Sequence, residues 1–113
     1  MEVTYSPDIE RMDLLVPLSV QLDKLVGPRS SPRVKARWSM VRDQYAPIQH
    51  RLSMEDDTGH VSTDFTLDEL TNKLHMQFRL PHIWGELLKI QSDRQQEEVH
   101  RLIGELYAET GAI

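Results

Sequence analysis

The chain has 113 residues, 39% of them apolar and 27% charged, and carries a formal net charge of −5. That length fits one domain, and the composition is globular, which excludes a disordered chain. There is no cysteine, so a disulfide framework and a thiolate metal site are excluded, while the acidic balance disfavours polyanion binding.

The opening residues MEVTYSPDIE lack the basic and apolar regions of a signal peptide. The longest apolar run, Leu14 to Leu18, falls far short of the roughly 20 residues that span a bilayer. A soluble, cytoplasmic protein without a membrane partner is expected.

In chain order, Val3 to Tyr5 carries a thin strand signal, and helical patterns follow. Segment A runs from Pro7 to Val26, with Ser6 as its cap, Pro7 at its first position, and Gly27-Pro28 as its stop. It is apolar on two sides. Leu14, Leu15, Leu18, Leu22, Leu25 and Val26 form a broad stripe; Ile9, Met12, Val16 and Val20 form a second. A surface helix needs only one such stripe, so Ile9, Met12, Val16 and Val20 are candidates for an interface with another chain, unless a kink at Pro17 merges the two.

Segment B, from Pro32 to Met54, spaces Val34, Trp38, Val41, Tyr45, Ile48 and Leu52 by alternating steps of four and three. This pattern predicts a bundle or coiled-coil helix with Trp38 buried and with Pro47 marking a kink or restart. Residues 27–51 hold six Arg or Lys against Asp43 alone, and Arg33, Lys35, Arg37 and Arg42 form a candidate basic patch for nucleic acid. On a helical wheel these cations flank the apolar seam, which suits a helix–helix border better.

Residues His60 to Phe65 read as a short extended or hairpin segment. Thr66 and Glu69 then make the capping box T-x-x-E, with Phe65 and Leu70 at the staple positions, and open segment C. Pro81 ends C and begins a shorter piece to Gln91. Segment D, Asp93 to Glu109, carries Val99, Leu102, Ile103, Leu106 and Tyr107 beside the acidic edge Glu98, Glu105 and Glu109. Because Gln91 to Glu98 is wholly polar, the last two pieces are equally readable as one helix with an exposed middle. The acidic edge of D facing the basic edge of B would make those segments neighbours.

The fold class expected is therefore all-α, a compact bundle of four to five helices forming a single helical domain over residues 1–113. The expected function is a small helical protein–protein interaction or adaptor module, its partner another protein or a second copy in a homodimer, with no catalytic site and no cofactor. The alternative is a helix-turn-helix DNA-binding regulator using residues 66–91, TLDELTNKLHMQFRLPHIWGELLKIQ. His82, Trp84, Glu86 and Lys89 make a poor set for reading base edges. An enzyme with an unrecognised site comes third. Glu97-x-x-His100 matches half of a di-iron spacing, but such sites use two copies and two further glutamates, so no metal is expected.

Overall fold

A computed structural model of the chain describes residues 1–110. It is not an all-α bundle. Four strands, β1 (Glu2–Tyr5), β2 (Lys35–Val41), β3 (Gln49–Glu55) and β4 (His60–Phe65), form one mixed sheet in the order β1-β2-β3-β4. β1 pairs with β2 in parallel, and β2, β3 and β4 form an antiparallel meander. The helices are α1 (Met12–Ser30), α2 (Leu67–Thr71) and α3 (Lys73–Thr110). The architecture is α+β, with α1 and the first half of α3 on one face of the sheet.

The largest correction falls on segment B, which is a 3-10 turn (Ser31–Arg33), two strands and the loop between them. A step of four residues returns to the same side in a helix and in a strand. Val34, Trp38 and Leu52 are therefore buried under either reading. The residues between them decide. Ala36 and Met54 are buried, while Lys35, Arg37 and Glu55 are exposed, which is the period-two alternation of a half-buried strand. Tyr45 is 88% exposed, because β2 ends at Val41 and Tyr45 falls in the loop that also holds Pro47.

Segment A begins later than expected. Ser6 does not cap it; its hydroxyl donates to Asp8 at 2.7 Å, closing a turn after β1. Arg11, at φ 61°, then redirects the chain into α1 from the left-handed region that non-glycine residues seldom adopt. The helix passes through Pro17 and breaks at Gly27 (φ 77°, ψ 166°) before Pro28. There the sequence stop is realised, and one further helical turn follows.

At the other end the capping box forms as expected. Glu69 N–H donates to the Thr66 hydroxyl at 3.2 Å, and Thr66 N–H donates to the Glu69 carboxylate at 3.0 Å. The helix it starts lasts one turn. Asn72 then leaves helical geometry, and its side chain accepts from His75 N–H at 3.1 Å, capping α3. Pro81 does not divide α3. Its missing N–H costs about 3 kcal/mol, but burial of Met76, Leu80, Ile83, Trp84 and Leu87 on either side of it holds one axis. Residues 81–109 thus belong to one helix.

Thr66→Ala should destabilise the fold by about 1 kcal/mol, as read by urea denaturation. The backbone N–H of Thr66 and its hydroxyl bond, with His75 beside them, hold the Glu69 carboxyl below its ordinary value. A lowered folded pKa stabilises above the unfolded value and is lost as pH falls through the folded one. The contribution of the Glu69 carboxylate should therefore shrink in acid, and Thr66→Ala, which keeps the backbone N–H, should lose only the hydroxyl's share of it.

The core fills the space between the sheet and the two long helices. Trp38 is fully buried, with its ring centroid 6.2 Å from that of Phe65. Its indole N–H donates to the Ser19 hydroxyl at 2.9 Å, which in turn donates to the Leu15 carbonyl at 2.8 Å. Strand β2 is thereby tied to α1 through a satisfied polar pair.

Candidate interaction surface

A helix of 38 residues is about 57 Å long at 1.5 Å per residue, and the longest extent of the molecule is 61 Å. The radius of gyration is 18.4 Å, where a compact chain of this length would have about 13 Å. The excess comes from α3. Gln91 donates to Asp56 in the β3–β4 turn, and every residue from Ser92 to Ala108 is exposed. That latch is well defined. Burial would raise the Asp56 carboxyl, but donation from the Thr58 hydroxyl, the Gln91 amide and the N–H groups of Thr58 and Gly59 outweighs it and leaves the group lowered.

The projecting half is not a polar stalk. Val99, Leu102, Ile103, Leu106 and Tyr107 are between 46% and 59% exposed, on one side of the helix. Their line continues toward the body. Leu74, Phe78, Pro81, Gly85, Leu88, Ser92, Gln95, Val99, Leu102 and Leu106 follow one another at strict steps of four and three, all exposed. This is the a/d spacing of a coiled-coil seam. It runs beside the face that packs on the sheet, so the body leaves it open. Phe78 is 71% and Leu74 65% exposed. Clustered apolar side chains left this open on a helix ordinarily mark an interaction site.

The interface candidates from segment A are placed as follows. Ile9 precedes α1 and packs, half-buried, against the core. Met12, Val16 and Val20 are exposed at 39%, 45% and 51%. On the wheel they lie on the flank of α1 away from Leu14, Pro17, Leu18 and Gln21, which line a cleft of about 420 Å³ against α2 and α3. The sequence stripe is thus real at three of its four positions but separate from the α3 seam.

The four basic candidates do not form one patch. Arg33 lines a cleft with Asp56 and Asp57. Lys35 stands between Glu2 and Glu55 in the strand register. Arg42 is paired with Asp8 at 3.3 Å and Glu10 at 3.6 Å. Arg37 alone has neutral cross-strand neighbours, Thr4 and Ser53. Lys35 and Arg37 lie on the open face of the sheet, away from α3, so the basic edge of segment B does not meet the acidic edge of segment D.

Residues 66–91 form α2, a corner at Asn72 and half of α3, without the separate second helix at Pro81. Among the described residues no group of three or more His, Asp or Glu is placed to hold a metal ion, and no helix is long and apolar enough to cross a membrane. Comparison with protein-family models, curated proteins and solved structures finds no match.

The α3 seam is the feature that sequence reading missed. Its distal stripe was visible, but Pro81 and the polar stretch from Gln91 to Glu98 cut one repeat into three pieces. Counting steps of four and three straight through both interruptions would have found it.

Proposed function

We propose that this chain is a protein–protein interaction module in which the α+β body carries and aims α3 as a docking helix. The observation that carries the reading is the exposed seam of α3, apolar at Val99, Leu102 and Leu106, on a segment whose residues from Ser92 to Ala108 are all exposed. In proteins most helical stability comes from packing of an amphipathic face, not from propensity alone. A projecting amphipathic helix therefore implies an occupant for that face. Heptad spacing selects another helix as that occupant, and a second copy of this chain supplies one without any further component. Ion-paired and acid-flanked cations on the body favour this reading over a nucleic-acid one.

Sedimentation equilibrium tests it. The chain should convert from monomer to dimer as concentration rises through the micromolar range. A chain that stays monomeric at high micromolar concentration overturns self-pairing.

A further inference from the structure

We infer that two copies pair through α3 in antiparallel orientation, the distal half of each helix seated on the proximal seam of the other, with Ser92 and Gln95 at the centre. This rests on the docking-helix reading above and adds orientation, register and the second half of the binding site.

The seam itself discriminates between the two orientations. In a parallel, in-register pair every seam residue meets its own copy. Gly85 would face Gly85 and Ser92 would face Ser92, leaving gaps, and Pro81 and Gln95 would make two further layers without a large apolar side chain. Leu88 would be the one well-filled layer across the middle. In the antiparallel pair an a position meets a d position of the other helix. The register that sets Ser92 against Gln95 also sets Leu88 against Val99, Gly85 against Leu102 and Pro81 against Leu106. Large residues then face small ones, which is how facing positions interdigitate. The space needed is present, since a Cβ built on Gly85 would meet nothing within 4 Å. The two polar residues Ser92 and Gln95 meet each other at the centre, the arrangement by which a polar core pair fixes a coiled-coil register.

Charge agrees with the packing. Glu98 and Glu105 border the seam on the side that, in the proximal half, faces α1. Antiparallel pairing brings this acidic edge over Gln91 and Trp84 of the other copy. There α1 offers Lys24, beside Gln77 and Pro81, and Arg29, in the cleft that Gln91 and Gln95 share with Arg33, Asp56 and Asp57. Parallel pairing would instead set Glu98 against Ile103, which carries no cation.

The natural chain has no cysteine, so cross-linking reads the geometry directly. Leu88→Cys and Val99→Cys are both at exposed positions; each is treated with a short bis-maleimide alone and in a one-to-one mixture. The antiparallel register predicts a covalent dimer in the mixture, consisting of one chain of each variant, and none from either variant alone, whose thiols would lie about 16 Å apart along the axis. Efficient dimer from each variant alone overturns the antiparallel orientation and leaves α3 pairing intact. No product in any sample from a chain that sediments as a dimer places the interface elsewhere and overturns both readings. A chain that sediments as a monomer overturns the docking of a second copy altogether.

Discussion

Trp38→Ala should cost about 3–5 kcal/mol of folding stability, the range for deleting a large buried aromatic side chain. Trp38 is the middle residue of β2 and is fully buried. β2 lies between the parallel strand β1 and the antiparallel strand β3, so the side chain stands where the sheet meets both helices. Its removal leaves a void against Phe65, and relaxation of a sheet pinned on both sides fills little of it. The Ser19 hydroxyl keeps its bond to Leu15 and its neighbour Tyr5 at 3.3 Å, so the cost is one of packing more than of an orphaned polar group. Urea denaturation followed by far-UV circular dichroism measures it. A loss below about 1 kcal/mol would mean that Trp38 is not in the core.

Leu102→Glu combined with Leu106→Glu should weaken self-association at least a hundredfold and leave the unfolding midpoint of the body unchanged. Burying one leucine contributes roughly 1.5–3 kcal/mol, and four are removed from a symmetric pair. A hundredfold change in affinity corresponds to about 2.7 kcal/mol, so even half-realised burial exceeds it. The new carboxylates also join Glu98 and Glu105 on the same helix. Both leucines are about half exposed and far from the core, which is why the body should not notice. Sedimentation equilibrium of the variant beside the natural chain gives the shift, and a denaturation curve gives the stability. Unfolding of the variant would mean that these residues belong to the monomer core.

Local signals in the sequence were legible wherever one physical cause acts alone. The Thr66–Glu69 box, the Gly27-Pro28 stop and the thin extended signals at Val3–Tyr5 and His60–Phe65 all depend on near neighbours, and each is found in the structure. Ser6-Pro7 misled because a hydroxyl that can cap a helix can also close a turn, and Asp8 offered the turn. Segment B misled for a deeper reason. Val34, Trp38 and Leu52 satisfy helix and strand periods alike, and the deciding residues are the small Ala36 and the exposed cations between, which a search for large apolar residues passes over. Tertiary burial, not local propensity, chose the sheet.

The surface suffered from the same ambiguity. Met12, Val16 and Val20 stand out in the sequence because α1 has more apolar positions than its buried side needs, and they are exposed, but Ile9 lies outside their line because the helix begins only after Arg11. The basic cluster dissolved because its members lie on three different elements, with acids brought beside them by pairing between strands that sequence distance conceals. For α3 the repeat is present throughout, yet Pro81 reads as a boundary and the polar run Gln91 to Glu98 leaves one helix or two equally open. A buried face running past both points keeps a helix whole at the proline, and the central polar pair belongs to the seam.

In the proposed pair, the half of α3 beyond Gln91 is held by another molecule of the same chain. Hydrogen exchange resolved along α3, measured across a concentration series, tests it most directly. Alone, a segment without packing opens readily. Protection of amides 95–108 should therefore rise with concentration in step with dimer formation, while β2 and β3 keep their protection unchanged. Protection of that segment that stays low, and does not change up to high micromolar concentration, would mean that no second copy holds it.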